Sequence, residues 1–247
     1  MAHMNSMLHV AATFGLVSGV LAAGWSPLAA VAAPEPVTLP SGERLVAGQA
    51  QMAREGVRLT ITQQSDRLIT EWGDFSIGRD AQVQFIQPNS QSAALNRVVG
   101  GRPSEIHGTL TANGHVLLVN AAGIHFAGGS RVDVGSLTAS TLNITDADFL
   151  AGRMRFSGEA AGSILAEGQI ALAEGGRLAF LAPLIEHRGT ITAPGGDVVM
   201  AAAGAVDLAL DPSGLVSLKV DRGAVDALIE SGGVIDVGGG AVVLTAQ

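Results

Sequence analysis

The chain has 247 residues, enough for one large domain or two small ones. It contains no cysteine, so a disulfide framework and thiolate chemistry are both excluded. Its 14 basic and 22 acidic residues give a formal charge of −8 with no basic stripe, which argues against a nucleic-acid partner.

The first segment is typical of a secretory signal peptide. Residues 1–33 carry no charged side chain, residues 8–21 are mostly apolar, and Val31-Ala32-Ala33 is a small-residue cleavage pattern. We predict a cleaved signal peptide over residues 1–33. The alternative is a membrane anchor, but Gly24 and Pro27 interrupt the apolar run before it reaches the roughly 18 residues that a span needs.

Residues 34–82 are predicted to form an N-terminal cap together with the first strands. A stack of strands has an exposed upper edge, which must be covered to prevent edge-to-edge aggregation. We expect Trp72 and Phe75 to pack over the first coil.

From residue 83 onwards, short runs alternate apolar and polar residues, as in Val83 and Phe85. Each run is closed by a turn sequence such as Asn113-Gly114 or Gly128-Gly129. This pattern has the period of β-strands, and we predict coils of short strands over residues 83–247.

Several short motifs occur in a fixed order along this part of the chain. They are Phe85-Ile86-Gln87-Pro88, Ala94-Leu95-Asn96-Arg97-Val98, Gly100-Gly101, the segment from Ile106 to Gly114, the segment from Val134 to Thr141, and the segment from Ala147 to Arg153. In these motifs the chain resembles the haemagglutination-activity domain at the N-terminus of two-partner-secretion exoproteins, the family of filamentous haemagglutinin-like adhesins.

The resemblance implies a secretion and interaction domain rather than an enzyme. It implies export through the periplasm, where the periplasmic domains of a dedicated outer-membrane transporter recognise the domain. It further implies folding into a β-helix that nucleates a downstream passenger, at the cell surface or outside the cell. That passenger would bind a host-cell or surface receptor.

Six residues in the motifs are candidates either for transporter recognition or for shaping turns: Asn96, Arg97, Asn113, Gly114, Asn120 and Gly123. The family usually carries Asn-Pro-Asn-Gly where this chain has Asn120-Ala121-Ala122-Gly123. We expect this turn to shape a corner, because Asn and Gly both favour tight turns.

A weak internal repeat predicts the architecture. The pattern Ile-x-x-x-Gly-x-Ile begins at Ile164, Ile185 and Ile229, at offsets close to one and two steps of about 21 residues. Aromatics make up only 4% of the chain and glycines number 33, which suits the narrow interior of a solenoid. We predict an all-β, right-handed parallel β-helix, with the hand taken from the family resemblance.

The register of the repeat predicts which side chains point inward. They are Ile170, Leu172, Leu178, Phe180, Ile191, Val198, Met200, Ile235, Val237, Val242 and Leu244. Residues 143–162 and 205–227 break the rhythm, and we expect them to form a loop or hairpins outside the helix. A β-sandwich is the competing fold, but a sandwich would not repeat at a fixed coil length.

The runner-up function is a β-helical carbohydrate-active enzyme or carbohydrate-binding protein of the cell envelope. Such enzymes need clustered carboxylates on adjacent coils. Here Asp133, Asp197, Asp207 and Asp236 are scattered, so no catalytic site is predicted. No glycine-rich segment precedes a helix with a phosphate-loop pattern, so no cofactor is expected.

Three histidines lie close together in sequence. His107 and His115 lie on the polar phase of their strands, and His125 lies between the inward-pointing candidates Ile124 and Phe126. Three histidines could form a metal site, but no matched carboxylate or cysteine is evident. We expect surface histidines and no metal.

Overall fold

The structure is a computed structural model that describes residues 32–158, 162–210, 216–222 and 227–247. The predicted signal peptide lies almost wholly outside these residues. Within the described part of the chain, no helix is both long and apolar enough to cross a membrane.

The N-terminal segment covers the upper edge of the β-helix with antiparallel strands. Strand β1 (Arg44–Ala47) pairs with β4 (Arg67–Trp72), and β2 (Ala50–Glu55) pairs with β3 (Arg58–Gln63), both antiparallel. Strands β3 and β4 in turn pair in parallel with later strands, so the first coil already lies within residues 34–82.

Two faces of the β-helix belong to one large sheet. The first face stacks β3, β5 (Gln82–Ile86), the first halves of β8 (Thr109–Val119) and β10 (Arg131–Ser140), β14 (Gln169–Leu172), β17 (Thr190–Thr192) and β22 (Val234–Asp236). The second face stacks β4, β6 (Ala93–Val98), the second halves of β8 and β10, β15 (Arg177–Leu181), β18 (Asp197–Ala202) and β23 (Val242–Ala246).

The third face is a separate parallel sheet. It stacks β7 (Ser104–Ile106), β9 (Ile124–Phe126), β13 (Ser163–Ala166), β16 (Leu184–His187) and β21 (Leu228–Ser231). These parallel pairings confirm the predicted β-helix and exclude the β-sandwich.

Inward side chains stack in columns from coil to coil. Ile170 aligns with Ile191, and Ile191 aligns with Ile235, as the repeat predicted. Ile170 and Ile191 are buried, and Ile235 is partly buried against the same core. Branched aliphatic side chains make up most of this interior, which suits the low aromatic content of the chain.

The described parts of the two stretches that break the repeat form a small sheet beside the β-helix. It contains β11 (Asn143–Ile144), β12 (Met154–Ser157), β19 (Ala205–Leu210) and β20 (Val216–Arg222), paired antiparallel. A one-turn helix, α1 (Asp146–Leu150), lies between β11 and β12 where we expected loop, and Thr145 caps it by accepting from the Asp148 amide. We call these elements the insertion sheet.

The insertion sheet covers outward-facing apolar side chains of the second face. Leu95 and Leu117 from the β-helix share a buried cluster with Phe149 and Phe156 from the insertion sheet. The residues that the structure describes therefore form two cores, one inside the β-helix and one between its second face and the insertion sheet.

Glycines at the corner between the first and second faces stack in a column because a side chain would have no room. This glycine column comprises Gly114, Gly135, Gly176, Gly196 and Gly240. A Cβ on Gly196 would lie 1.8 Å from the carbonyl oxygen of Gly176. None of the five has a positive φ, so close stacking rather than backbone conformation requires glycine here.

Candidate functional site

Two of the sequence motifs meet at one corner of the β-helix. The Asn113 side chain accepts from the backbone N–H of Gln87 (2.7 Å) and donates to the Gln87 carbonyl (2.9 Å). The Gly114 amide donates to the Gln87 side chain, and Gln87 donates in turn to Gln63 (3.1 Å). Gln63 and Gln87 are buried, so a ladder of amides crosses three coils here.

A second motif residue, Asn120, holds the corner between the second and third faces. It is 2% exposed; its amide donates to the Arg102 carbonyl (2.9 Å) and to Ser104 Oγ (3.0 Å). Its Oδ1 accepts from the Ala122 N–H (3.0 Å), and the Gly123 N–H donates to its carbonyl (3.1 Å). Gly123 has φ +124°, so it closes the turn at a backbone angle that favours glycine.

Asn96 lies in the interior of the β-helix. Trp72 Nε1 donates to Asn96 Oδ1 (3.0 Å), and the Asn96 amide donates to the Leu117 carbonyl (3.2 Å). Trp72 packs edge-on against Phe75, and both rings are buried. Asn96 therefore provides the hydrogen-bond partner that a buried indole needs.

Arg97 joins the β-helix to the insertion sheet. Its guanidinium donates to Asn143 Oδ1 (3.1 Å), to the Ile144 carbonyl (2.8 Å) and to Asp146 (2.7 Å). A further ion pair to Glu71 spans 3.7 Å. The side chain is 15% exposed, so little of it is available to a partner molecule.

The six motif residues therefore do not form one site. Asn113 with Gly114 and Asn120 with Gly123 occupy different corners, Asn96 is inside, and Arg97 faces the insertion sheet. Asn113 is the one exposed residue of the six, and its side chain bonds to the backbone N–H and carbonyl of Gln87.

The last coil has the most exposed apolar surface of the β-helix interior. Val198 and Met200 of β18 are 0% exposed, whereas their partners in the next coil, Val242 and Leu244, are 43% and 47% exposed. The sequence placed Val242 and Leu244 on the inward phase, and their register agrees. They are uncovered because, among the described residues, no strand pairs with the far edge of β23.

The structure brings together two of the three histidines with a carboxylate that the sequence pattern did not reveal. Glu105 Oε2 lies 3.2 Å from His107 Nε2 and 2.8 Å from His125 Nδ1. A hydrogen bond from the His125 ring to the Glu105 carboxylate raises the pKa of His125, against the opposing effect of burial. His115 lies apart, bonded to Thr138 Oγ1 (2.9 Å). Sheet register could have revealed Glu105, since it aligns with His125.

The four scattered aspartates stay apart in the fold. Asp197 pairs with Arg177 (3.9 Å) and Asp207 with Arg155 (3.1 Å). Asp133 and Asp236 align with threonines rather than with another acid. No two of these four carboxylates are neighbours in the register of the described strands.

An open cleft of about 640 Å³ is lined mainly by residues of the second face and the insertion sheet. Its four arginines are already engaged. Arg67 donates to the Phe149 carbonyl (2.9 Å), and the other three form ion pairs: Arg153 with Asp148, Arg155 with Asp207 and Arg177 with Asp197. The cleft is therefore a polar seam between the two parts of the molecule.

Comparison with known proteins places the fold and motifs among secretion domains. The family model described as "TPS secretion domain" matches residues 38–247. The crystal structure of the HMW1 secretion domain from Haemophilus influenzae superposes with a TM-score of 0.75 and 26% identity, over 83% of this chain and 57% of that one. The filamentous hemagglutinin secretion domain superposes with a TM-score of 0.48 and 17% identity, over 82% of this chain and 78% of that one.

Two curated relatives from Haemophilus influenzae are similar over shorter segments. Both are named heme/hemopexin-binding protein; one is 40% identical over 106 residues, 43% of this chain, and the other is 42% identical over 87 residues, 35% of this chain. The matched segments span 12% and 9% of the lengths of those relatives, so this chain corresponds to a small part of each.

Proposed function

This chain belongs to the TPS secretion domain family, and from that premise we propose that its last coil templates the folding of the exoprotein segment that follows the domain. Domains of this family are recognised by a partner outer-membrane transporter and belong to exoproteins secreted across the outer membrane. They are not an enzyme family.

The route of export is part of the same proposal. Residues 1–33 would act as the signal peptide that brings the chain to the periplasm, where the periplasmic domains of the transporter would bind it. The exported protein would then remain at the cell surface or outside the cell, and its passenger would bind a receptor there. The heme/hemopexin-binding names describe the relatives, and we do not extend that binding to this domain.

The observation that supports templating is the exposed inner surface of the last coil. Val242 and Leu244 are 43% and 47% exposed although the same columns are fully buried one coil earlier. Parallel strands of a further coil would pair with this edge and bury both side chains. Burial of this surface gives a folding direction, from the completed coils towards the next one.

We also infer that the domain does not catalyse glycan cleavage. A lyase or hydrolase would need convergent carboxylates, and the four candidate aspartates lie apart or are paired with arginine. Turnover of an acidic glycan that disappears when a single aspartate is replaced would overturn this inference.

The test compares Leu244→Asp with Thr245→Asp in cells that carry the partner transporter. Thr245 lies next to Leu244 on the outward phase and is the matched control. We expect the isolated Leu244→Asp domain to melt within about 1 °C of wild type, since Leu244 is already half-exposed. Fused to a β-helical passenger, the same variant should lower the yield of protease-resistant surface passenger several-fold.

The outcomes separate the two parts of the proposal. Wild-type passenger folding in Leu244→Asp would reject templating by the last coil. Release of the domain by cells that lack the transporter would reject transporter-dependent export.

A further inference from the structure

Glu105, His107 and His125 lie together on the outer surface of the third face. Strands β7 and β9 are parallel neighbours, and Glu105 is directly opposite His125 in their register. His107 follows β7 by one residue, and its ring meets the ring of His125 edge-on at 5.8 Å between centroids. The cluster therefore connects two successive coils.

From this geometry we propose that Glu105, His107 and His125 bind a divalent transition-metal ion of the zinc class. One carboxylate oxygen and two imidazole nitrogens all lie within 4.8 Å of one another. Around a tetrahedral zinc with bonds of about 2.0–2.1 Å, ligand atoms are about 3.3 Å apart. The observed separations from Glu105 Oε2, 3.2 Å and 2.8 Å, need only a small opening to reach that spacing.

An outer carboxylate orients His125 as a ligand. His125 Nε2 lies 3.1 Å from Glu167 Oε2, and Glu167 is paired with Arg188 (3.6 Å). Donation from Nε2–H to Glu167 leaves the lone pair of Nδ1 directed at the cluster. Metal-binding histidines are usually held in this way by a second carboxylate or carbonyl.

The negative charge around the cluster also favours a bound cation. Two carboxylates flank the same ring, which concentrates negative charge around His125. A divalent ion bound at Nδ1 would neutralise the charge of Glu105. Hard–soft preferences favour zinc-class ions over Ca²⁺ or Mg²⁺, because two of the three ligands are imidazoles.

The partial exposure of the cluster indicates that a bound ion would link two coils at the protein surface. The Glu105 side chain is 10% exposed, whereas those of His107 and His125 are 23% and 25% exposed. Three protein ligands leave a fourth position that faces solvent, which water would occupy. The ion would then hold β7 against β9, and would bind only when the two coils are stacked.

The test titrates the metal-free chain with Zn²⁺ by calorimetry, and with Co²⁺ as a spectroscopic reporter of coordination. We expect one ion per chain, and a rise in Tm of about 5 °C at Zn²⁺ concentrations near 100 times Kd. His107→Ala and His125→Ala should abolish binding. Glu167→Gln should weaken binding about 10- to 100-fold while keeping one ion per chain.

Glu230→Gln is the matched control, because Glu230 is an exposed acid on the same outward phase of the third face. It should bind Zn²⁺ as wild type does. If His125→Ala fails to fold, His107→Ala decides the outcome, since His107 lies outside the strands. Absence of saturable Zn²⁺ and Co²⁺ binding, or binding that survives His107→Ala, would overturn the proposal.

Discussion

Single buried amides hold the corners of this β-helix. Asn120 uses both its amide N–H bonds and its carbonyl oxygen inside a turn where it is 2% exposed. Gln87 does the same at another corner, where the exposed side chain of Asn113 bonds to the Gln87 backbone. We therefore propose that the motif asparagines shape coils and that the transporter reads other, exposed features.

Asn120→Ala should destabilise the domain by about 1–3 kcal/mol, because it leaves the Arg102 carbonyl and the Ala122 N–H without a partner. Thermal denaturation of the purified domain measures this, and export measured in parallel should fall only as a consequence. Ala121→Ser, at an exposed position of the same turn, is the control. Unchanged stability with abolished export would instead make Asn120 a recognition residue.

His115 makes stability depend on pH. Burial, reinforced by the charges of Arg67 and Arg177, lowers the pKa of His115 to about 4. In the unfolded chain the pKa is about 6.5, so between these values the unfolded state binds more protons. Stability is therefore fully present above about pH 6.5 and falls as the pH drops towards 4.

We expect wild type to lose up to about 1.4 kcal/mol per pH unit over this range relative to His115→Gln. Denaturant unfolding at pH 7, 6, 5 and 4.5 on both proteins gives the difference directly, and cancels contributions from other titrating groups. Parallel pH profiles for the two proteins would show that His115 is not the titrating group.

At the level of strands, side chains at equivalent positions in successive coils stack into columns, and these columns stabilise the fold. Ile191 is 0% exposed between Ile170 and Ile235, whereas Thr190, one residue earlier, points outward and is exposed. Corners are equally constrained, because each glycine of the glycine column lies against the backbone of the coil before it.

Ile191→Asp should unfold the neighbouring coils, since it buries an unpaired charge at a cost of several kcal/mol. Thr190→Asp on the same strand should melt close to wild type. Circular dichroism during heating distinguishes the two variants. A fully stable Ile191→Asp protein would mean that the register is incorrect.

Gly196→Ala should destabilise by about 3 kcal/mol or more, because its Cβ would lie 1.8 Å from the Gly176 carbonyl oxygen and two coils would have to separate. Gly129→Ala is the matched control, since nothing lies within 4 Å of its Cβ position and its φ is not positive. That control should be neutral or slightly stabilising. Equal melting temperatures for both variants would contradict the close-stacking explanation.

At the scale of the whole molecule, the β-helix and the insertion sheet share a buried apolar core that lies beside the polar cleft. Phe149 and Phe156 contribute to this core, and Arg97 adds charged hydrogen bonds to Ile144 and Asp146. The β-helix does not need the insertion sheet to complete its own interior, because the two cores are separate.

Arg97→Met should loosen the insertion sheet while leaving the β-helix folded. Loss of about 2 kcal/mol of charged hydrogen bonding predicts roughly 30-fold faster hydrogen exchange in β11 and α1. Arg102→Met is the control, because the Arg102 side chain is 76% exposed and makes a surface ion pair with Asp74. Unchanged exchange in Arg97→Met would show that apolar contacts alone hold the sheet.

The sequence alone determined the architecture, because its signals are local. Alternating apolar residues specify strands, and the repeat of about 21 residues places Ile170, Ile191 and Ile235 in one column. It also marked residues 143–162 and 205–227 as outside the coils, since both break the repeat. The motifs that carry the family resemblance led to the TPS secretion domain family.

Only the tertiary structure decided which polar residues meet. Glu105 and His125 are separated by a whole coil, so their pairing depends on sheet register rather than on sequence spacing. Likewise β12 pairs with β19, which brings Arg155 to Asp207 across two insertions that nothing local connects. Which side chains meet across such separations in sequence depends on how the coils stack. A short sequence pattern does not specify that stacking.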